Sequence, residues 1–370
     1  MNNVKNMAII GAGVAGLALA IFARKQGIKV TLYERGKHFS SIGAGVTLWP
    51  NANFVIQQLG LMDKVLKTGG RPSYMRQFNR QGEQQNEFDI SVLNAVCGFP
   101  TINLFRRDLI QLLADALQPL NATVIFNQAL TSQDIPRLQQ QFDLVVGADG
   151  RMHSPARQYL YGNTIQPTYQ GFINIIGLCA MEYDQSIHEY RDNGERFGIV
   201  PVTQKEGYWA AAWPCDMDES KTLKSWFDEM HQRFQHWPDK VQHVLENYDP
   251  NSVKRLFVHD LDPLPHWHRD NLVIIGDAAH APLPTSGQGA SQALEDAWHL
   301  SLLLKQHQPL DSLLSQFYNT RIHKASSAQL IGRQVAHQIF QQPSPTTQTV
   351  QRISTEQLSK LYMEGLGSNH

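Results

Sequence analysis

Apolar residues run almost unbroken from Met7 to Ala23, MAIIGAGVAGLALAIFA, interrupted only by Gly11, Gly13 and Gly16. This pattern predicts a strand over Val4 to Ile10, a glycine turn, a helix over Ala15 to Gln26 and a strand over Lys29 to Tyr33, a βαβ start. After GAGVTLWPNA at 43 to 52, apolar residues at Phe54, Val55, Leu59, Leu61 and Val65 mark a helix from about Asn53 to Leu66. From Tyr74 to Ile90 the pattern turns to alternation around Arg80, Gln81 and Gly82, which predicts an antiparallel hairpin leaving the first domain. A helix over Arg106 to Leu117 and strands over Thr123 to Phe126 and Asp143 to Gly147 resume it. The stretch from Gly171 to Pro214 is strand-rich, with GFINIIGLCAMEY, RFGIVPV and YWAAAWP separated by turns, and belongs to a second, mostly antiparallel sheet. An amphipathic helix near Leu223 to Asn247 and the strand VKRLFVHD at 253 to 260 close that insert, and LVIIGDAAH at 272 to 280 re-enters the first domain. A polar connector, QQPSPTTQT, occupies 341 to 349, with a helix after 350 whose apolar Leu358, Leu361 and Met363 suit packing or a dimer surface.

Length and composition narrow the possibilities. At 370 residues the chain exceeds the size at which one core usually stops growing, so two domains or one elaborated domain are expected. With 32 basic and 33 acidic residues the net charge is -1, too little basic excess for nucleic acid, and small-molecule ligands are expected. Cys97, Cys179 and Cys215 are too far apart for a CxxC redox pair or a zinc knuckle, which fits a reducing cytoplasm. The apolar run near the start lacks a small-residue cleavage site and is broken by glycine, so neither a signal peptide nor an integral membrane segment is expected. No HExxH or comparable ligand spacing is present, so no metal is expected, and the absence of a Gly-x-Ser-x-Gly elbow removes the simplest hydrolase reading.

Three motifs carry chemistry. The first, GAGVAG at 11 to 16, is a GxGxxG between strand and helix, with Glu34 ending the next strand. Its glycines permit a tight turn and let backbone amides approach a pyrophosphate at the helix start, while Glu34 suits ribose hydroxyls. The second is DLVVGADGRMHSPAR at 143 to 157, a strand ending in Asp149 and Gly150. The third is RDNLVIIGDAAHAPLPTSGQGASQALEDA at 269 to 297, a strand ending in Gly276 and Asp277, a proline-rich turn, then Gly287, Gln288 and Gly289 opening a helix.

In this order and at these distances the three motifs resemble those of the class A flavoprotein monooxygenases, the family of para-hydroxybenzoate, salicylate and hydroxynicotinate hydroxylases. The resemblance runs from the first strand to about residue 325. It implies an α/β fold in which an FAD-binding GxGxxG Rossmann-like domain is interleaved with a mostly antiparallel β-sheet substrate domain, plus C-terminal helices. The expected division is 1–73, 98–168 and 265–325 for FAD, 74–97 and 169–264 for substrate, and 326–370 for a C-terminal helical segment. Gly11, Gly13, Ala15, Gly16, Glu34 and Arg35 match the ADP half of the FAD site. Arg106 matches the arginine that opens a helix near the cofactor, and Leu130, placed on the strand before the second motif, matches a backbone contact to adenine. Asp277 matches the carboxylate on the ribityl chain or ribose. Gly287, Gln288, Gly289 and Ala290 match the helix start whose amides face the flavin pyrimidine. Gly45 and Val46 match the mobile-flavin loop, and Pro284 matches the proline beside the reactive edge, its carbonyl orienting the oxygen adduct.

The implied activity is hydroxylation of a small, flat aromatic or heteroaromatic substrate with NADH or NADPH and dioxygen, through a flavin hydroperoxide, in a monomer or homodimer. The absence of a second GxGxxG unit agrees with this, because the family has no separate nicotinamide domain. Its urate hydroxylases carry aspartate where this chain has Thr285, which implies a different substrate. Other readings stay open at this point. Asp149 suits helix capping as well as cofactor contact, and Asp277 is also a candidate cap. His280 suits a base or a structural role. Arg196, Tyr208, Trp209 and Trp213 lie in the roof of the pocket as substrate contacts or as core, with Arg196, Tyr208 and Trp213 as candidate substrate residues. His259 and Asp260 project to opposite faces of one strand and suit structural roles. A reductase or dehydrogenase of the same fold, a halogenase (GYWAAAWPC at 207 to 215 lacks the order of GWxWxIP) and a flavin-binding regulatory module without turnover are the rivals.

Overall fold

The fold is described from a computed structural model, in which residues 4–39, 43–341 and 354–367 are described. Five short strands, Leu272–Ile274, Leu144–Gly147, Asn6–Ile10, Lys29–Tyr33 and Thr123–Ile125, lie parallel in that spatial order, and His268–Arg269 pairs antiparallel at one edge. The first three each end in one of the chemical motifs, so Gly11, Ala148–Asp149 and Gly276 emerge side by side from the carboxyl edge of one sheet. That is where open α/β sheets bind ligands. The helix Val14–Lys25 is buried on every side through Ala23, between the sheet and the helix Gly289–Leu303, which explains a sequence apolar all round rather than striped.

The second sheet has seven strands in the order Lys254–Asp260, Thr168–Ala180, Glu206–Pro214, Glu195–Pro201, Ser186–Asp192, Tyr74–Phe78 and Gln84–Asp89. Every neighbour is antiparallel except Ser186–Asp192 with Tyr74–Phe78. The hairpin expected between Tyr74 and Ile90 therefore exists, and it extends this sheet at one edge. Alternation along the central strands gives the sheet two faces. Ile173, Ile175, Phe197, Ile199, Trp209, Ala211 and Trp213 enter one apolar cluster with Trp226, Met230, Phe234 and Trp237. Phe172, Asn174, Ile176, Arg196, Gly198, Tyr208, Ala210 and Ala212 occupy the opposite face, which looks toward the first sheet and the helix Leu310–Phe340.

One expectation needs correction. The single helix over Leu223 to Asn247 is two, Leu223–Phe234 and Asp239–Asn247, broken at Trp237 and Pro238. Proline lacks the N–H that would continue the ladder, and here it caps the second helix. The division at 325/326 falls inside one helix of 31 residues, Leu310–Phe340, which packs on the turn Pro284–Ser286. The helix expected after 350 begins at Thr355 and ends at Met363; the polar connector, from 342 to 349, lies outside the described residues.

Candidate active site

The first turn is shaped by close backbone approach. Gly11, at φ +103°, has Ala148 O 2.3 Å from where a Cβ would stand, and a Cβ on Gly16 would lie 2.0 Å from Gly11 O. Around Gly13 the reverse holds: a Cβ there would meet nothing within 4 Å. Gly13 is the N-cap of the following helix, no side chain caps it and no acidic residue lies in its first turn. Amide donors therefore face open space where a pyrophosphate would lie. Glu34 supports the turn as well as facing the site, because its carboxylate accepts from Ala12 N at 2.9 Å and Gly36 N at 2.8 Å. Ala15 is buried, and its Cβ lies 3.0 Å from where a Cβ on Gly276 would stand, so the first and third motifs touch, while Arg35 is exposed. Leu130 corrects an expectation: it lies in an irregular stretch after Thr123–Ile125, not on a strand, with its side chain in the main core.

The second motif divides its labour. The Asp149 carboxylate accepts from Ser154 Oγ at 2.6 Å and Ala156 N at 3.0 Å, so it supports the start of the helix Pro155–Tyr161 from outside; the N-cap itself is Ser154, whose Oγ accepts from Arg157 N at 3.0 Å. Burial raises it to about 6 against the pull of those hydrogen bonds. Arg157 ties this motif to the third: Nη1 donates to Ala278 O at 3.0 Å and Nη2 to Arg151 O. Arg106 opens the helix Arg106–Leu117, and neither its guanidinium nor the Asp277 carboxylate forms a hydrogen bond among the described residues. Burial lowers the Arg106 guanidinium below its ordinary value; Asp277 opposes this and Arg151 adds to it. The hydrogen-bonding groups of both side chains are thus left without a partner among the described residues.

The third motif rests on a buried polar network that sequence reasoning missed. Asp296, fully buried, accepts from Gly276 N at 2.7 Å, His280 Nε2 at 2.6 Å and Arg321 Nε at 2.8 Å. Burial alone would raise its carboxyl, yet His280 and Arg321 draw it down to about 2. Glu295 accepts from Arg321 Nη1 at 2.7 Å, Lys324 Nζ at 2.9 Å and Asn51 Nδ2 at 2.7 Å. Asn51 also donates to Gln288 Oε1 at 2.9 Å. His280 is therefore a buried partner of Asp296, which is the structural reading. The available signal was a pair of adjacent carboxylates in ALEDAWHL, at positions the helical period buries.

Above this network, Gln288 is the N-cap of Gly289–Leu303, whose first turn carries neither a side-chain cap nor an acidic residue. The amides of Gly289, Ala290 and Ser291 begin a 15-residue helix with its positive end outward. Pro284 is exposed, and its carbonyl accepts from Gly287 N at 3.0 Å, so one of its two lone-pair directions is already taken. The Trp49 indole nitrogen lies 2.9 Å from where a Gly287 Cβ would stand, and the Tyr362 ring packs on Trp49 at 5.7 Å. Lys324 Nζ donates to Tyr362 O at 2.7 Å and Glu364 O at 3.0 Å, which brings the C-terminal helix beside this turn.

The roof is the inward face of the second sheet. Tyr208 packs directly on the loop strand Gly45–Leu48: a Cβ at Gly45 would lie 2.0 Å from its ring, and its hydroxyl is 3.1 Å from Thr47 Oγ1. Burial raises the phenol to about 12, so it stays neutral. Val46, half-buried, packs on the main core. Arg196 Nε donates to Glu189 at 2.7 Å and Nη2 to its other oxygen, a bidentate pair lying over Gly198. Trp213, expected as a substrate contact, faces the other way. It is fully buried against Trp226 and Phe234 beneath the helix Leu223–Phe234. Strand alternation is the reason: five positions after Tyr208, it must project to the opposite face. His259 bonds Phe257 O at 2.8 Å and Asp260 pairs with Arg333, both structural.

The residues present fit FAD. The turn at Gly13 leaves open the volume a pyrophosphate needs, and uncapped amides at two helix starts, together with the unpaired Arg106 and Asp277, lie along one edge of the sheet. Fold and site together define a flavin-binding α/β protein. A family model described as FAD binding domain matches residues 5–327, and the chain belongs to this family, that of the class A aromatic-ring flavin monooxygenases. It is similar to the aurachin C monooxygenase/isomerase of Stigmatella aurantiaca, at 28% identity over 86% of this chain and 85% of that one. It is likewise similar to the 6-hydroxynicotinate 3-monooxygenase of Bordetella bronchiseptica, at 29% identity over 83% and 84%. The fold matches the crystal structure of Klebsiella pneumoniae HpxO complexed with FAD and uric acid, with a TM-score of 0.83 at 23% identity over 92% of this chain and 90% of that one. Among the described residues no helix is long and apolar enough to cross a membrane.

Proposed function

We propose that this flavin-dependent monooxygenase takes reducing equivalents from NADH or NADPH and hydroxylates a small planar heteroaromatic compound bound between the turn Pro284–Ala290 and the inward face of the second sheet. The observation that carries this reading is the meeting of two surfaces. The turn that leads to the uncapped helix start at Gly289 is joined through Leu283 to Phe172 and Ala212 on the sheet face that also carries Tyr208 and the Arg196–Glu189 pair. The division into FAD-binding segments 1–73, 98–168 and 265–325 and substrate segments 74–97 and 169–264 belongs to the same proposal. Relatives named for 6-hydroxynicotinate, urate and aurachin C support a heteroaromatic substrate. Thr285, which stands where the family resemblance implies an aspartate in the urate enzymes, donates its hydroxyl to Gly332 O at 2.6 Å.

Bound FAD supplies the redox chemistry, accepting hydride from the nicotinamide and delivering one oxygen atom of dioxygen to the ring. The chain's own residues bind, orient and exclude water. Gly11, Gly13, Ala15, Gly16, Glu34, Arg35 and the Leu130 backbone would hold the ADP half, with Asp149 acting through the helix start it supports. Arg106 and Asp277 hold the central phosphate and hydroxyl groups. The amides of Gly289 and Ala290, with Gly287 and Gln288 shaping the turn, would hold the pyrimidine end of the cofactor at a helix start that favours negative charge. Gly45, whose lack of a side chain admits the Tyr208 ring, and Val46 would form the loop against which the cofactor sits. The remaining lone pair of the Pro284 carbonyl accepts a hydrogen bond at the reacting edge.

The test is anaerobic stopped-flow mixing of the purified flavoprotein with NADH or NADPH, with and without pyridones, quinolones and phenolic acids. Reduction accelerated by one class of ring compound supports the reading. Reduction indifferent to every compound would move the protein to the reductases.

A further inference from the structure

Within the inward face of the second sheet one residue breaks the apolar surface without any partner to explain it. Asn174 lies between Phe172 and Ile176 on its own strand, and its lateral neighbours are Ala212 on one side and Leu256 on the other. It is 94% buried, at 6% exposure. The carbonyl end of its amide is sealed and has no hydrogen-bond partner, and the amino end forms no hydrogen bond among the described residues but is not sealed. Its flanking residues Ile173 and Ile175 enter the far cluster, so Asn174 projects toward the first sheet. Its neighbour Ala212 packs with Leu283, the residue preceding Pro284. The side chains beside it on the neighbouring strand, Ala212 directly and Ala210 diagonally, are small.

A buried primary amide with neither end engaged is unfavourable in the protein alone, and an apolar residue of the same size would avoid that cost. The arrangement makes sense when a ligand supplies the missing partners. We propose that Asn174 is the specificity-determining residue of the pocket, and that it selects a heterocycle presenting a cyclic-amide edge, a ring N–H beside a ring carbonyl, over a carbocyclic phenol of the same shape. An amide offers one donor and one acceptor side by side, and a ring lactam is their complement. No protein hydrogen bond opposes rotation about its Cβ–Cγ bond, so either end of the amide can be turned to the open side to meet the ring N–H or the ring carbonyl. This rests on the proposal that the inward sheet face receives the substrate.

The experiment uses the holoenzyme and isosteric pairs: 2-quinolone against 2-naphthol and 6-hydroxynicotinate against 4-hydroxybenzoate. Binding is read as perturbation of the flavin absorbance and turnover as acceleration of flavin reduction. In the wild type, at least one heterocycle is expected to bind about tenfold more tightly than its carbocyclic partner, the effect of one net neutral hydrogen bond. In Asn174→Leu that preference is expected to vanish while flavin content and Tm are kept, because an apolar replacement removes an unpartnered polar group. If Asn174→Leu loses flavin through crowding, Asn174→Ala is the variant read. A preference that persists in the flavin-retaining variant overturns the assignment, as does a wild type that binds the carbocyclic partners equally well. If no compound of either kind perturbs or accelerates the flavin, the substrate site itself is misplaced and both proposals fall.

Discussion

Asp296→Asn isolates the contribution of the buried network beneath the third motif. The substitution keeps the shape and removes the charge, leaving an amide among three donors: Gly276 N, His280 Nε2 and Arg321 Nε. Whichever way the amide turns, its NH₂ group faces a donor. The carboxyl is lowered from 3.8 to about 2 in the folded protein, and that displacement corresponds to about 2–3 kcal/mol of stability at neutral pH. Because the folded value is depressed, this stability is present above about pH 4 and is lost as the pH falls toward 2. Breaking a buried ion pair by removing one partner costs about 3–5 kcal/mol, and Arg321 keeps Glu295, so the lower end applies. For a chain of 370 residues the unfolding entropy is roughly 0.8 kcal/mol per degree, which turns a loss of about 2–3 kcal/mol into a Tm lowered by about 3–4 °C. Differential scanning calorimetry of wild type and variant at pH 7 and again at pH 3 reads both quantities. The gap is expected to be widest at pH 7 and to narrow at pH 3. An unchanged Tm at pH 7, or a gap that grows on acidification, would refute the reasoning.

The remaining predictions use the same geometry. Gly13→Val is expected to keep the fold but abolish FAD binding, since its side chain meets no protein atom nearby; the check is a near-unchanged apoprotein Tm with no yellow colour, whereas Gly16→Val, blocked by Gly11 O at 2.0 Å, should fail to accumulate as folded protein. Trp213→Ala should destabilise by about 3 kcal/mol or more through cavity formation and leave ligand affinity unchanged; a selective loss of ligand binding would restore the residue to the pocket. Asp149→Asn should remove a component of pH dependence. The folded carboxyl is raised to about 6, so the stability it contributes is present below about pH 4 and lost as pH rises through 6. Urea titrations across that window should show wild type losing about 2–3 kcal/mol more than the variant.

Much of the site was legible because local chemistry determines it. A glycine turn between strand and helix constrains backbone geometry within a few residues, and the positions of Gly11, Gly13 and Gly16 follow from that. Long-range features were not legible. The contacts joining Asn51 to Gln288 and Glu295, and Gly276 to Asp296, depend on how helices pack, and no local pattern encodes a partner more than 200 residues away in the first case. The misplacement of Trp213 is different, since counting five residues from Tyr208 along one strand already puts it on the far face. The proline after Trp237 likewise marked a break in the helix assigned there. Asn174 was invisible as a site residue because its significance lies in lacking partners, which only the assembled sheet reveals.

The central claim is that one atom of dioxygen enters a ring bound beneath the second sheet. The most direct measurement is mass spectrometry of the product formed by the holoenzyme with NADH or NADPH under heavy-isotope dioxygen, using the ring compound that best accelerates flavin reduction. The account predicts a product carrying one heavy oxygen atom, with none acquired from labelled water. Nicotinamide oxidation that yields only hydrogen peroxide for every compound that accelerates reduction, or a product labelled from water, would contradict it.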